Sequence, residues 1–329
     1  MFVNRNYSLF RTFAWSYKPF LWGFIYALLI GSLGYFSQQS LSFPWEPLSV
    51  IGIAVAFYLG FKNNSSYDRT WEARKIWGSI VNNSRSFGAA VCSFVQGEKE
   101  EDYKKELIYR HIAWMTALRH QLRLSQPWEH TDERLHKLYN PTICEDYTNK
   151  LDKELAQYLS AEEVATYDQN SNRATQILKR QNVRLQELRD QDLYEDFRHM
   201  EFFHIVDKLY ADQGMAERIK NFPFPRQYAS TALWLTLVFS AFLPFGLLDV
   251  FSETSSIWVL VLCAFVSGLI TWIFFLMEKI GDYSENPFEG TYNDVPITSI
   301  ARGIEIDLRE MINDANIPPK FEAENGFLM

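Results

Sequence analysis

The sequence predicts an all-α fold: four transmembrane helices with a large helical cytosolic region. Three observations carry this expectation. Uncharged apolar stretches sit near both ends of the 329-residue chain. Charged sequence with helical periodicity fills the middle. Every Lys and Arg falls on one side of the apolar stretches, as the positive-inside rule requires of cytosolic segments. Such a split argues against one ordinary soluble globule.

The first span is expected over about 20–37. No charge occurs between Lys18 and Glu46, and the centre from Leu21 to Phe36 reads LWGFIYALLIGSLGYF. At about 1.5 Å per residue this nearly crosses a hydrocarbon core of about 30 Å. The second, about 47–62, is short for a full span, so its helix should continue past Lys62 or sit inside a protein bundle. The third covers about 229–248 and the fourth about 255–277. The loop between the first pair holds Glu46, and that between the second pair holds Asp249 and Glu253, with no Lys or Arg in either. Lys18, Lys62, Arg226 and Lys279 lie just beyond the opposite ends. Both termini, with residues 63–228 and 278–329, are therefore expected in the cytosol of a multi-pass protein of the inner (cell) membrane. The opening MFVNRNYSLFRTF lacks a cleavage pattern, so the first helix should be retained.

The middle reads as helices. Leu107, Ile108, Ile112, Met115, Leu118 and Leu122 recur near the 3.6-residue period within 102–124. Ser160 and Glu163 fit a capping box opening a helix. Residues 175–200 alternate apolar and charged residues at helical spacing. Pro223 and Pro225 should break the helix before the third span. Asp294 suits an N-cap, with Pro296 in the first turn of a helix whose apolar face is Ile297, Ile300, Ile304, Leu308 and Met311. Without repeats or a candidate linker, spans and cytosolic helices read as one interleaved domain, 1–329.

Composition excludes several functions. A net charge of −8 gives no sign of a nucleic-acid partner. Cys92, Cys144 and Cys263 follow no ligand or disulfide spacing. No phosphate loop, nucleophile elbow or zinc spacing occurs, so no enzyme is expected. The polar cluster Glu195, Asp196, His199, Glu201 and His204 matches neither a zinc nor a di-iron helix and reads as a solvated or salt-bridged face. His111 and His120 read as structural.

Span two is the informative element. Ile53, Phe57 and Phe61 recur every fourth residue and share one helical stripe about 12 Å long. Gly52, Ala54, Ala56 and Gly60 surround them. Small flanks beside a bulky stripe let a helix pack closely on its copies with the stripe toward a common axis, a hydrophobic neck that gates by dewetting. The same spacing also suits a lipid-facing or core stripe.

The residues that follow resemble the bestrophin family, its bacterial homologues in particular. The resemblance lies in GFKNNSSYDR from Gly60 to Arg69, then Trp71 to Arg74, Trp77 and Gly78, Glu217 to Ile219, Pro223 to Pro225, Glu285 to Phe288, Asn293 to Pro296 and Ile304 to Arg309. It implies a homopentamer with one axial pore passing small monovalent ions, in contact with membrane lipid. The ions would be chloride and other anions by the broad family, with monovalent cations as in some bacterial members. It places the neck at Ile53, Phe57 and Phe61, and a cytosolic aperture at Phe197 or Met200. Animal members hold activating calcium with an acidic run after Asn-Pro-Phe. Here the remnant is Asn286, Glu289, Asn293 and Asp294, with only two carboxylates. No calcium activation, and no other cofactor or metal, is expected, since calcium takes six to eight oxygens. Glu46 at the outer mouth would favour cations. Lys62, just below the neck, would favour anions if it faced the lumen, unless it snorkels or forms a salt bridge. The reading from another class is a non-conducting membrane scaffold or accessory protein.

Overall fold

The computed structural model describes residues 1–38, 41–129, 147–251, 256–291, 293–324 and 326–329. Cys144 and Glu253 lie outside them. The described residues form ten helices and no named strand. These are α1 (Leu9–Ser37), α2 (Trp45–Phe94), α3 (Glu100–Arg123), α4 (Tyr147–Leu155), α5 (Ala161–Thr166), α6 (Arg173–Asp190), α7 (Asp196–Asn221), α8 (Arg226–Val250), α9 (Ile257–Asp282) and α10 (Ile297–Met311). They group into two compact units. One comprises residues 4–69 and 224–285, the other residues 1–3, 70–223 and 286–329. α2 contributes residues to both.

In the first unit, α1 buries only small residues, Ser16, Gly23, Ala27 and Gly31. Gly23 among them meets Gly268 and Thr271 of α9. A Cβ added at Gly23 would lie 2.8 Å from Thr271 Oγ1, and one added at Gly268 would lie 2.9 Å from the Phe20 carbonyl. Two backbones this close need glycine, the means by which apolar helices pack where lipid competes with every aliphatic side chain. Trp272 Nε1 donates to Ser16 Oγ at 2.8 Å across the same contact. Leu21, Ile25, Leu29 and Leu33 are left exposed on α1. A second cluster packs Leu48, Val55 and Leu59 of α2 against Ala232, Phe239, Leu243 and Leu247 of α8.

Three helices of this unit, α1, α8 and α9, are long and apolar enough to cross a membrane. Among the described residues α2, the remaining one of the four expected spans, does not meet that measure. α2 is long enough, but its uncharged run ends at Lys62 and the rest of its 50 residues mixes charged and polar side chains with apolar ones. The helix does continue past Lys62, as its short apolar run required.

The second unit is built around α3, whose core-facing side chains include Trp114, Met115 and Leu118. Trp77 and Phe87 of α2 and Phe202 of α7 complete the centre. Ser160 Oγ accepts from the Glu163 N–H at 3.2 Å and opens α5 as its capping pattern predicts. α7 ends at Asn221, and α8 begins after Pro225, so the two prolines do separate them. Residues 175–200 are not one run. α6 stops at Asp190 and α7 starts at Asp196, because Asp192 enters the left-handed region (φ 58°) and the chain turns. Asp294 is not the cap of α10 either. Pro296 holds that position, without a side-chain cap, and the Asp294 carboxylate turns to other donors described below.

His111 is fully buried on α3, its Nε2 2.9 Å from Ser84 Oγ and its ring stacked on Phe87. Burial pushes its pKa down to about 3. The native ring stays neutral where the unfolded chain takes a proton below about pH 6.5. Its contribution is therefore complete above that value and declines as pH falls toward 3. Thermal unfolding of detergent-solubilised protein between about pH 7 and pH 4 checks this. The unaltered protein should lose up to about 1.4 kcal/mol more per pH unit than His111→Gln. Parallel slopes would contradict it.

Candidate functional site

The predicted neck residues lie together on one bare face of α2. Ile53, Phe57 and Phe61 are 58%, 66% and 67% exposed, while Leu48, Val55 and Leu59 on the other side are at most 1% exposed. Residues four apart drift by about 40° on a helix, so the three exposed side chains form one stripe. The core explains the buried side. The stripe has no such cover within the chain.

Several contacts fix this rotation. Gly52 lies against α8, where an added Cβ would be 2.8 Å from the Phe239 ring. At the other end, Lys62 Nζ bonds Glu278 Oε1 of α9 at 2.9 Å and approaches Asp282 at 3.7 Å, with 1% of the lysine side chain exposed. Lys62 is thus the salt-bridged residue, turned away from the stripe. Beside it, a Cβ at Gly281 would overlap the Asn63 side chain. Gly60 differs, since an added Cβ there meets nothing within 4 Å. It sits where the face is open.

Glu46 is exposed in the first turn of α2. Asp249, an acid of the other expected loop, is not free. Its Oδ2 accepts the Trp45 N–H at 3.2 Å and caps α2. Phe197 and Met200, the residues expected at an aperture, belong to the other unit and project from the first turns of α7, 86% and 51% exposed. Near them, the polar cluster is a salt-bridged surface: Arg189 bonds Asp196 at 2.5 Å.

The segment after α9 is organised by a residue that periodicity could not single out. Asp294 Oδ1 accepts the Phe288 N–H at 2.7 Å and its own neighbour's, Val295 N–H, at 2.5 Å. Oδ2 accepts the Gly290 N–H at 2.6 Å and pairs with the Arg123 guanidinium of α3. Arg123 also donates to the Val295 carbonyl at 3.2 Å. The loop bends sharply, with Phe288 at φ 81° and Gly290 at φ 97°. Of the other remnant residues, Asn286 and Glu289 are buried and Asn293 is half-buried. Among the described residues, no group of three or more His, Cys, Asp or Glu is arranged to hold a metal ion.

Two further ion pairs went unread in the sequence. Lys220 Nζ bonds Glu129 Oε1 at 2.5 Å with both side chains buried. Burial pushes the Glu129 carboxyl up and the Lys220 ammonium down, and each partner opposes the other's shift. Arg226 pairs with the buried Glu285, whose carbonyl accepts Arg69 Nε at 2.8 Å. Burial raises the Glu285 carboxyl, and Arg226 opposes that.

The profile of a family described as Bacterial/Fungal Bestrophin protein matches residues 17–310. The voltage-dependent anion channel-forming protein YneE of Escherichia coli K12 is 28% identical over 302 residues, 91% of this chain and 88% of its own. The voltage-dependent anion channel-forming protein sll1024 of Synechocystis is 26% identical over 308 residues, 91% of this chain and 85% of its own. A solved structure of a bacterial bestrophin homologue from Klebsiella pneumoniae matches with a TM-score of 0.76 at 22% identity, over 91% of this chain and 98% of that one. At that identity the likeness is one of fold.

Arg123→Gln leaves the Asp294 carboxylate buried without its cation. The expected loss is about 3–5 kcal/mol of stability, read by denaturant unfolding, and Asp294→Asn in the same chain should recover part of it. An unchanged midpoint in Arg123→Gln would contradict the role given to this pair.

Proposed function

The chain belongs to the bacterial and fungal bestrophin family, and from that premise we propose that it is an ion channel in which five identical chains surround one axial pore. The observation that carries this reading is the bare stripe on α2. Three bulky apolar residues stand exposed on a helix whose opposite side is fully packed. A contiguous exposed apolar face marks an interaction site or a lining. Copies of α2 around an axis turn Ile53, Phe57 and Phe61 into a hydrophobic neck, a constriction that gates by dewetting.

The permeant species are small monovalent ions. The names of the Escherichia coli and Synechocystis relatives support passage of anions. α2 joins α1, α8 and α9 as the fourth membrane element, with its charged continuation and both termini in the cytosol of an inner-membrane protein. An apolar run too short to face lipid alone is suited to the interior of a bundle. Phe197 and Met200 form a second narrowing, and Glu46 lies at the outer mouth.

Calcium is not needed for activity. The Asp294 carboxylate is already engaged by three backbone N–H groups and by Arg123, which leaves little to offer an ion that takes six to eight oxygens.

Purified protein in liposomes tests both statements. It should carry ion flux, to the same extent with calcium present or chelated. Replacing Ile53, Phe57 and Phe61 together by Ala should raise the flux severalfold by widening and wetting the neck. A protein that conducts nothing, with or without the three substitutions, would contradict the channel. Flux that calcium switches on would contradict calcium independence.

A further inference from the structure

The charge that the α2 stripe presents below the neck is acidic, although a lysine stands next to Phe61 in sequence. Between Glu46 and Asp68 the only charged residue of α2 is Lys62. Lys62 is one residue past Phe61, rotated by about 100° from it, and packs into α9. Its ammonium is neutralised there by Glu278, with Asp282 close by. Asp68 is seven residues past Phe61. Seven residues turn a helix by about 700°, within about 20° of two full turns, so Asp68 continues the stripe about 10.5 Å further along. It is exposed, and its carboxylate has no hydrogen bond or salt bridge to any described residue. Asn64 and Ser65, exposed on the intervening turn, carry no charge. The neighbouring charges are engaged elsewhere: Arg69 donates to the Glu285 carbonyl at 2.8 Å, and Glu72 bonds Lys75 at 2.5 Å.

We propose that Asp68 is a residue that determines ion selectivity, the first unpaired charge on the α2 stripe below the neck, and that Glu278 keeps Lys62 from acting as its opponent. The proposal rests on the channel reading. If copies of α2 surround an axis, each contributes one Asp68 carboxylate to a ring. Such a ring raises the cation share of the flux at the mouth of the apolar neck, and so tempers the passage of anions rather than favouring it. The permeability ratio then follows the charge at 68 and is indifferent to the charge at 62.

Reversal potentials of the full-length protein in planar bilayers under a KCl gradient test this. Asp68→Asn should lower the cation-to-anion permeability ratio by about fivefold, the scale of a unit charge acting over a few ångströms in water. Asp68→Glu should keep the ratio. Lys62→Met with Glu278→Leu, which replaces the buried pair by an apolar contact of similar size that still ties α2 to α9, should also leave it within twofold. An unchanged ratio in Asp68→Asn would overturn the proposal, as would an equal shift in the Lys62 and Glu278 double variant. Absence of current from the unaltered protein would instead strike the channel reading, and this assignment with it.

Discussion

An ammonium group removed from water costs several kcal/mol unless a counter-charge and good geometry offset the loss. Lys62 meets that constraint through Glu278, and the rest of the candidate site depends on it. The pair ties α2 to α9 at a point adjoining Phe61 in sequence. Gly281 next to it admits Asn63 where any side chain would collide, and Gly52 accepts Phe239 about three turns earlier. α2 is therefore held at both ends of its apolar run in one rotation. With Val55 and Leu59 committed to the core, Ile53, Phe57 and Phe61 have no direction left except outward.

The two units solve burial differently. In the unit of α1, α8 and α9, small residues bring backbones together, and Trp272 donates to Ser16 across the contact of α1 with α9. That suits a medium in which apolar side chains gain little by leaving lipid. The unit around α3 has a large aromatic and aliphatic core crossed by side-chain hydrogen-bond networks. Trp114 Nε1 donates to Gln213 at 2.9 Å, and Gln213 in turn donates to Thr175 and Glu217. The loop after α9 extends this logic. Arg123, from a helix more than 170 residues earlier, supplies the positive charge around which residues 286–296 fold.

Local patterns were legible in the sequence where a local rule decides the outcome. The stripe follows from period alone, the break before α8 from two prolines, and the start of α5 from Ser160 and Glu163. What needed long-range partners was not legible. Lys62 could equally have faced a lumen, since its partner lies 216 residues away. Asp294 looks like a helix cap because the sequence around it does not reveal that Arg123 claims its carboxylate. The run from 175 to 200 keeps helical periodicity across a turn that Asp192 makes, so the pattern hid the break. The second span was legible as a helix that continues, while its charged continuation removes it from the helices apolar enough to cross alone.

The central claim is that the bare face of α2 meets water along a shared axis. Substituted-cysteine accessibility tests it most directly. In a chain with Cys92, Cys144 and Cys263 replaced, single cysteines at 53, 57, 61 and 59 are exposed to a charged, membrane-impermeant thiol reagent during ion flux. The account predicts that cysteines at 53, 57 and 61 react and flux is blocked, while the cysteine at 59, in the core, stays silent. Modification at 59 with none along the stripe, or reaction at the stripe that leaves flux untouched, would contradict it.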